Sequence, residues 1–307
     1  MVDITSKTSS LRTAIASATV QVSKPETIEA VRNKTVPKGD IVEFSRAAGL
    51  LAIKKTSDVI PDCHPLPVEY ASISHSLEDM TIRITVEVHT IYKTGVEVEA
   101  MHGAAITALT IYDMLKPIDK GVEISHIKLE TKKGGKTDFK DQVNPDLKTA
   151  VIVCSDGVFH GKKKDSSGQK IIEKLNRLNI VPGFHTIIPD DKDIIQSSLE
   201  KLQVENYQLV LITGGTGLSP RDVTPEAVKP LLDREIPGIM EAARSYGQQR
   251  TPYAMLSRGI AGFMKKMLVI TLPGSTRGVA ESMDALFPYV LHLFRVAEGM
   301  RHDETVK

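Results

Sequence analysis

The second half of the chain alternates short apolar runs with longer segments in which apolar residues recur at helical spacing. The runs are rich in Val, Ile and Leu, which is typical of strands buried on both faces of a sheet. They occupy residues 150–154, 184–188, 209–212 and 267–272. Because strand and helix patterns alternate, we predict a three-layer α/β domain with a mostly parallel sheet.

The segments between the runs carry specific helix signals. Asp165 and Ser166 precede one predicted helix, and Thr224 with Pro225 has the pattern of an N-cap followed by proline at the first helical position. The predicted helices carry Ile171, Ile172, Leu175 and Leu178; Ile195, Leu199 and Leu202; and Val279, Met283, Leu286, Val290 and Phe294. We expect a kink at Pro288 in the last of them.

The first half differs, because apolar and polar residues alternate strictly over 80–88, which predicts a strand with one buried face. Residues 68–77 predict its hairpin partner, and residues 122–131 predict a last strand. An amphipathic helix is predicted over 41–60, and a helix rich in small residues runs from Glu97 towards Pro117. Residues 1–37 show only a polar start and a short helical pattern. These elements favour an α+β domain, ferredoxin-like, with an antiparallel sheet and helices.

The two patterns are separated by a polar stretch without periodicity. We therefore predict a domain at 1–140, a linker at 141–148 and a second domain at 149–307. The small residues of the helix that begins at Glu97 indicate close packing against another helix or a second subunit.

Composition excludes several classes of protein. The 307 residues contain 39 Lys and Arg against 38 Asp and Glu, a net charge of +1, without a basic stripe, so nucleic-acid binding is not expected. No apolar run has the length of a signal peptide core or a membrane span. The two cysteines, Cys63 and Cys154, fall one in each predicted domain, so we expect no disulfide and a cytoplasmic location.

A glycine-rich stretch, Thr213-Gly214-Gly215-Thr216-Gly217, follows the apolar run at 209–212. Such a loop between a strand and a helix lies where ligands bind in open parallel sheets, and glycines leave N–H groups free for anionic oxygens. Arg221 and Asp222 come next, a cation and a carboxylate suited to a phosphate and its metal. The stretch fits neither common phosphate-binding motif, and a tight structural turn is the other interpretation.

Polar residues also follow the other predicted strands. Asp156, Asp190 and the segment Pro273-Gly274-Ser275 each come directly after an apolar run. Carboxylates that converge on glycine-lined N–H groups predict a magnesium–nucleotide site. The loop at Ser275 has a second interpretation, in which it merely caps the last helix.

In the first half, each polar group has a structural as well as a functional interpretation. Asp113 and Lys116, three residues apart, are either a solvated ion pair or part of a site. His64 caps a turn or binds a ligand, and Glu97 and Glu99 favour the start of a helix or contact a substrate. A metal site at Cys63 and His64 is not favoured, since no second Cys/His pair accompanies it.

Several motifs stand in order along residues 1–140: Lys38-Gly39-Asp40, Lys54-Lys55-Thr56-Ser57, Ile60-Pro61-Asp62-Cys63-His64-Pro65-Leu66, Thr94-Gly95-Val96-Glu97-Val98-Glu99-Ala100, Ala108-Leu109-Thr110-Ile111-Tyr112-Asp113-Met114 and Gly134-Gly135-Lys136. Together they closely resemble cyclic pyranopterin monophosphate synthase, the MoaC family of molybdenum cofactor biosynthesis. That family converts a cyclised dihydro-GTP into cyclic pyranopterin monophosphate with loss of pyrophosphate.

The resemblance implies roles for residues at the matching positions. Asp113 is the implied catalytic acid or base, with Lys38 and Lys116 as its charged partners. The implied contacts to substrate are His64, Glu97 and Glu99 for the base and sugar, Arg12, Lys54 and Lys136 for the phosphates, and the motif positions Asp62, Cys63 and Val98. A triphosphate needs several cations, and the rearrangement needs paired proton donors and acceptors. Val98 and Lys55 depart from the usual methionine and arginine.

Residues 149–298 resemble the MogA/MoaB family, through the stretch 213–227 together with Ser155-Asp156, Pro189-Asp190 and Leu272-Pro273-Gly274-Ser275. That family binds molybdopterin, and its active members adenylate it with Mg-ATP. The resemblance implies that Asp190 and Asp222 are catalytic carboxylates that hold the metal. It also implies that Asp156, Thr213, Gly214, Gly215 and Ser275 line the cleft for the pterin phosphate and the nucleotide.

The two resemblances predict a fusion of two enzymes of one cofactor pathway. Its expected partners are cyclised dihydro-GTP, molybdopterin and ATP, with Mg²⁺ in the second domain, and no bound organic cofactor in the first. The families also imply a homo-oligomer, hexameric through the first domain and trimeric through the second. Two alternatives remain: a second domain that binds molybdopterin or acts as a scaffold without chemistry, and a first domain kept only for oligomerisation.

Overall fold

The computed structural model describes residues 1–135 and 146–297, and the chain divides into two compact units, Met1–Phe139 and Lys140–Lys307. Within the described residues, every helix is too short or too polar to cross a lipid bilayer.

The first unit contains a four-stranded antiparallel sheet in the order β2-β3-β1-β4. Its strands are β1 (Ser10–Gln21), β2 (Tyr70–Leu77), β3 (Thr81–Tyr92) and β4 (Glu123–Lys133). Its helices are α1 (Pro25–Arg32), α2 (Ile41–Lys54), α3 (Thr56–Val59) and α4 (Glu97–Leu115). Helices separate β1 from β2 and β3 from β4, so the predicted ferredoxin-like α+β fold is confirmed. The predicted hairpin at 78–79 joins β2 to β3.

The structure corrects the prediction for residues 1–37, because the central strand of this sheet, β1, lies there. Its buried face consists of Ala14, Ala16, Ala18 and Val20, none more than 1% exposed. Alanine favours strands weakly, so the alternation gives little hydrophobic signal. The predicted helix over 41–60 is also interrupted at Lys55, where α2 ends and α3 begins.

Helices α2 and α4 approach each other closely because two glycines face the contact. A Cβ atom added at Gly49 would lie 2.1 Å from Oγ1 of Thr107, and one added at Gly103 would lie 2.6 Å from Cγ1 of Ile53. The close packing that the small residues of α4 predicted is therefore found, with α2 as the neighbouring helix.

The second unit contains a six-stranded sheet in the order β6-β5-β7-β10-β9-β8. Its strands are β5 (Thr149–Cys154), β6 (Phe184–Ile188), β7 (Leu209–Thr213), β8 (Arg234–Glu235), β9 (Ala261–Met264) and β10 (Met267–Leu272). Its helices are α5 (Asp156–Phe159), α6 (Ser167–Asn176), α7 (Lys192–Val204), α8 (Thr224–Val228), α9 (Pro237–Gln248), α10 (Thr276–Leu286) and α11 (His292–Ala297). Short 3-10 helices occupy Lys229–Leu231, Pro252–Leu256 and Tyr289–Leu291.

Strands β6, β5, β7 and β10 run parallel; at one edge, β9 pairs antiparallel with β10, and β8 pairs antiparallel with β9. One hydrophobic cluster covers each face of this sheet: Leu211 belongs to the first and its neighbour Ile212 to the second. The predicted three-layer α/β fold is therefore confirmed.

Three details of the second unit differ from the sequence predictions. No element was predicted between 233 and 266, where α9, β8 and β9 lie. The N-cap of α8 is Val223 rather than Thr224, whose buried hydroxyl instead donates a hydrogen bond to the carbonyl of Gly214. Helix α10 ends at Leu286, before Pro288, instead of continuing through a kink.

We predict that Gly49→Ala destabilises the first unit, because the new methyl group overlaps Oγ1 of Thr107 and Cδ1 of Ile73. Overpacking costs about 1–3 kcal/mol, which exceeds the gain in helix propensity of about 1 kcal/mol. Faster amide hydrogen exchange throughout α2 and α4 is the expected result. Gly238→Ala in α9 is the control, since nothing lies within 4 Å of the added atom. Unchanged exchange in α2 and α4 would contradict the close approach.

Candidate active sites

The first unit brings Asp113 together with two lysines at the carboxyl end of α4. Nζ of Lys38 lies 2.7 Å from Oδ2 of Asp113 and also donates to the Asp113 carbonyl at 2.9 Å. Nζ of Lys116 lies 2.7 Å from Oδ1 of the same carboxylate. Lys38 comes from the loop before α2, so tertiary packing adds a second cation to the pair expected from spacing alone.

This pairing keeps Asp113 ionised. The hydrogen bonds from Lys116 and Lys38 lower the pKa of the Asp113 carboxyl to about 2. The pKa of Lys116 is raised by the same contact. All three side chains are substantially exposed, so the charged groups are accessible to a ligand.

A second group of predicted residues lies at the other end of α4. Glu99 is 3% exposed, its Oε1 accepts a hydrogen bond from Sγ of Cys63 at 3.3 Å, and its Oε2 has no hydrogen-bond partner among the residues that the structure describes. Burial raises the pKa of Glu99, and burial together with the Glu99 charge raises that of the Cys63 thiol to about 11. Both shifts favour the protonated forms of the Glu99 carboxyl and the Cys63 thiol.

Other predicted contacts surround this end. Oε1 of Glu97 lies 3.2 Å from Nζ of Lys132, and Arg12 donates from Nε to the carbonyl of Tyr92 at 3.4 Å. A Cβ added at Gly135 would lie 2.0 Å from Nη1 of Arg12, so a side chain at this position would overlap the guanidinium.

Four predicted residues have less specific surroundings, and one lies outside the described residues. His64 bonds through Nε2 to the carbonyl of Val2 at 2.8 Å, and Asp62 lies 2.8 Å from the amino terminus. Lys54 is exposed in the last turn of α2, and the side chain of Val98 is 42% exposed. Lys136 lies outside the described residues, which end at 135 and resume at 146.

The two groups are well separated within one chain. Glu97 and Asp113 lie sixteen residues apart on one continuous helix, which corresponds to about 24 Å at 1.5 Å per residue. A single chain therefore does not bring the Asp113 cluster and the Glu97–Glu99 region to one small substrate.

In the second unit, four loops meet at the carboxyl edge of the parallel sheet. Strands β5, β7 and β10 end together, since Thr213 pairs with Val153 on one side and with Leu272 on the other. The loops that follow carry Asp156, Gly214 and Gly215, and Ser275. Asp190 follows the neighbouring strand β6, so the strand-end residues predicted from sequence share one edge.

Asp156 and Asp190 hold each other through their backbones. The amide of Asp156 donates to Oδ2 of Asp190 at 3.1 Å, and the amide of Asp190 donates to Oδ1 of Asp156 at 3.2 Å. Oδ1 of Asp190 is buried and has no hydrogen-bond partner within residues 1–135 and 146–297. Burial raises the pKa of Asp190, and the charges of Asp156 and Asp222 raise it further. The charge of Asp222 therefore acts on Asp190 at the hollow where these loops meet, while Oδ2 of Asp222 accepts a hydrogen bond from the amide of Ser219 at 2.7 Å.

The glycine-rich turn closes over this hollow in a conformation that only glycine adopts easily. Gly214 and Gly215 have φ values of +101° and +61°. A Cβ at Gly214 would lie 2.0 Å from the carbonyl oxygen of Cys154, and one at Gly215 would lie 3.1 Å from Oδ1 of Asp190. The buried hydroxyl of Thr213 donates to the carbonyl of Pro273 at 2.7 Å, which joins the turn to the loop of Ser275.

These residues fit a magnesium–phosphate group. Among the described residues, no three His, Cys, Asp or Glu side chains are grouped closely enough to hold a metal without other ligands. Magnesium usually binds one or two carboxylates together with substrate phosphates, and the unpartnered Oδ1 of Asp190 provides such a ligand. The amides of residues 215–217 donate no hydrogen bond within the described residues and are available to phosphate oxygens.

A cavity of about 270 Å³ continues the site on the other side of Ser275. Helix α9, the 3-10 helix at Pro252–Leu256 and the start of α10 form its walls, with Arg244, Tyr253 and Arg277 among the lining residues. Sequence reasoning missed Arg244 and Tyr253, because no element was predicted between 233 and 266, and it assigned no role to Arg277 at the start of the predicted last helix. Ser275 also caps α10 by accepting from the amide of Gly278 at 3.1 Å, so its capping interpretation holds as well.

A ferredoxin-like unit with a lysine-flanked carboxylate, followed by an α/β unit with carboxylates beside a glycine-rich turn, defines a protein with two separate candidate active sites. A model of the MoaC family matches residues 1–135, and a model described as a probable molybdopterin binding domain matches residues 150–292.

Similar proteins combine both parts. The chain is 37% identical to the molybdenum cofactor biosynthesis bifunctional protein of Chlorobaculum tepidum, over 98% of this chain and 96% of that protein. A protein of the same name from Synechococcus elongatus is 35% identical over the full length of both. The chain is also 45% identical to cyclic pyranopterin monophosphate synthase of Clostridium perfringens over 139 residues. This match covers 45% of this chain and 87% of the synthase. The crystal structure of the molybdopterin biosynthesis enzyme MoaB from Thermus thermophilus covers 50% of this chain and 98% of its own, with 37% identity and a TM-score of 0.48.

The chain belongs to the family of bifunctional molybdenum cofactor biosynthesis proteins. The predicted fusion of a MoaC part with a MogA/MoaB-like part is therefore confirmed.

We predict that the carboxyl of Asp113 titrates near pH 2 and that Lys116→Met shifts this midpoint up towards the ordinary value of 3.8. The pKa is lowered in the folded protein, so the pairing stabilises the fold above about pH 4 and is lost as the pH falls towards 2. Carbon-detected NMR of the carboxyl group measures the midpoint. Lys55→Met, which removes the exposed ion pair with Asp58, is the control and leaves Asp113 unchanged. A midpoint unaffected by Lys116→Met would show that the pairing is absent in solution.

Proposed function

We propose that the first unit converts cyclised dihydro-GTP into cyclic pyranopterin monophosphate, and that the second unit adenylates molybdopterin with Mg-ATP. The observation that carries the first assignment is the Asp113 carboxylate held between Lys38 and Lys116. The observation that carries the second is the pairing of Asp156 with Asp190 beside the glycine-rich turn, with the charge of Asp222 acting on Asp190.

In the first unit, the chemistry needs a base, proton donors and cations. Asp113 is ionised and accepts a proton, while the ammonium groups of Lys38 and Lys116 donate protons and stabilise developing negative charge. Forming the cyclic phosphate makes a bond from a substrate hydroxyl oxygen to the α-phosphorus and breaks the bond to the leaving pyrophosphate. Arg12, Lys54 and Lys136 supply positive charge for the phosphates, and the carboxyl of Glu99, whose pKa is raised by burial, contacts the heterocycle.

This assignment requires more than one copy of the chain. The separation of about 24 Å along α4 between Glu97 and Asp113 exceeds the reach of one heterocycle and its phosphates. We propose that the Asp113 cluster of one subunit faces the Glu97–Glu99 region of another in a homo-oligomer. The hexameric and trimeric states expected for the two units are part of this proposal.

In the second unit, the proposed reaction joins two phosphates. A phosphate oxygen of molybdopterin attacks the α-phosphorus of ATP, a new P–O bond forms, and pyrophosphate leaves. Magnesium, when bound, neutralises charge on the phosphates. Asp190 and Asp222 hold it, Asp156 orients Asp190 through the paired backbone bonds, and the free amides of residues 215–217 bind phosphate oxygens. The cavity beside Ser275 accommodates the pterin end of the substrate.

The location that we propose, the cytoplasm, is supported by the two cysteines. Both Cys63 and Cys154 are free thiols, and the burial of Cys154 raises its pKa to about 12, which keeps it protonated and unreactive.

We predict that Asp113→Asn and Glu99→Gln each lower the synthase rate by roughly 10²–10⁴-fold, because each removes a proton-transfer group. Mixing the two inactive variants under conditions of subunit exchange recovers about a quarter of the wild-type rate. Random pairing makes half of the dimers mixed, and a mixed dimer has one complete site of two. The measurement is conversion of the cyclised nucleotide followed by chromatography. If the mixture stays inactive although exchange is demonstrated, the site does not span two subunits.

We predict that Asp222→Ala abolishes pyrophosphate release from Mg-ATP and molybdopterin, because one of the two proposed metal ligands is lost. Asp193→Ala, which removes an exposed carboxylate in the first turn of α7, is the control and keeps the wild-type rate. Calorimetry with molybdopterin accompanies the assay. Wild-type protein that binds molybdopterin and releases no pyrophosphate would make the second unit a binding or scaffold module.

A further inference from the structure

Arg258 lies outside every motif of the sequence, yet its side chain makes three hydrogen bonds beside the second site. It follows the 3-10 helix at Pro252–Leu256 and precedes β9. Nε donates to the carbonyl of Gly217 at 2.7 Å, and Nη2 donates to the carbonyl of Asp222 at 2.6 Å. Nη1 bonds to the carboxylate of Glu226. Each nitrogen of the guanidinium therefore holds a different part of the loop that carries Asp222.

The backbone of Arg258 reinforces this contact, since its amide donates to the carbonyl of Thr216 at 3.0 Å. Arg258 is therefore bonded to the loop at several points. These points extend from residue 216 in the glycine-rich turn to residue 226 in α8.

The tip of the loop has few other attachments. Residues 218–221 are exposed, and their hydrogen bonds stay within the loop: the amide of Ser219 donates to Oδ2 of Asp222 at 2.7 Å, and the amide of Asp222 donates to the Ser219 carbonyl at 2.8 Å. These bonds stabilise the internal conformation of the tip. They do not hold the tip in place relative to the sheet. Among the described residues, the hydrogen bonds that join Gly217 and Asp222 to a distant segment come from Arg258.

Arg258 is itself anchored to the wall of the cavity. Nη1 of Arg244 lies 3.5 Å from the carbonyl oxygen of Ser257 and 3.4 Å from that of Gly259, the residues on either side of Arg258. Arg244 and Ser257 both line the cavity beside Ser275. The cavity wall and the Asp222 loop are therefore joined through this one side chain.

We propose that Arg258 is a positioning residue that fixes Asp222, and with it the metal and nucleotide, relative to the cavity that receives the other substrate. The inference rests on the proposed adenylation, because it assigns no chemistry of its own to Arg258. All three of its nitrogens are used within the protein, so it acts through the loop. A lysine cannot replace it fully, because a single ammonium group on a flexible stem does not span three acceptors in a fixed fork geometry.

The test compares Arg258→Gln and Arg258→Lys with wild-type full-length protein. For Arg258→Gln we expect the Mg²⁺ concentration at half-maximal pyrophosphate release to rise by roughly 10- to 100-fold, as is typical when a residue supporting a metal site is lost. Molybdopterin affinity, measured by calorimetry without nucleotide, stays within about twofold, because the cavity wall keeps the contacts from Arg244. For Arg258→Lys we expect a half-maximal Mg²⁺ concentration between the values for wild-type protein and Arg258→Gln.

A second measurement does not depend on activity. Amide hydrogen exchange of residues 217–226, without metal or nucleotide, becomes faster in Arg258→Gln, while exchange in β7 and β10 is unchanged. Arg177→Gln, which removes an exposed ion pair with Glu173 on α6, is the control for loss of an arginine and leaves both readouts at wild-type values.

The outcomes separate this inference from the proposed function. If wild-type protein releases no pyrophosphate, adenylation is refuted, and the exchange of residues 217–226 still decides whether Arg258 positions the loop. If Arg258→Gln lowers the melting temperature but leaves both the Mg²⁺ dependence and the loop exchange unchanged, Arg258 is only a structural residue and the inference is overturned.

Discussion

The second site depends on a contact between two backbones that leaves no room for a side chain. Gly214 lies so close to the carbonyl of Cys154 that an added Cβ would come within 2.0 Å of its oxygen, and a Cβ at Gly274 would lie 3.3 Å from Cα of Gly214. Because these approaches hold the ends of β5, β7 and β10 together, their loops share one small volume. The hydroxyl of Thr213 then bonds across to Pro273, and Gly215 lies beside Asp190.

The same kind of constraint acts in the first unit, where Gly49 and Gly103 let α2 and α4 touch. That contact runs along α4, with the loop before α2 near one end and α3 near the other. It therefore places Lys38 against Asp113, and Thr56 against His102 at 3.2 Å. Close helix packing is thus what turns a local Asp–Lys pair into a carboxylate flanked by two cations.

The pKa values of the central carboxylates in the two candidate sites are shifted in opposite directions. Asp113 is exposed and bonded to two ammonium groups, which lowers its pKa to about 2 and keeps it ionised. Asp190 is half-buried, and burial together with the charges of Asp156 and Asp222 raises its pKa, while one of its oxygens has no partner in the part of the chain that the structure describes. The first arrangement keeps an exposed carboxylate ionised and fixed between two cations. The second suits a group whose charge is balanced only when a cation binds.

The sequence by itself determined the class of both folds and predicted most members of both candidate sites. Apolar runs of strand length predicted β5, β6, β7 and β10, and polar residues directly after them predicted the carboxylates at one edge, because parallel strands bring their carboxyl ends together. Motif resemblance added the residues around Asp113. These features involve residues that are close together in the sequence. Hydrophobic periodicity and the order of motifs therefore predict them.

The tertiary structure decided what local patterns do not contain. Strand β1 escaped prediction because its buried face is mostly alanine, and only the sheet shows that small residues are needed beneath α4. The distance between Glu97 and Asp113 follows from one continuous helix, so the first site is divided within a chain. Arg258 reaches the Asp222 loop from 36 residues further along the chain. Such contacts depend on how distant segments pack, and no periodicity in the sequence encodes them.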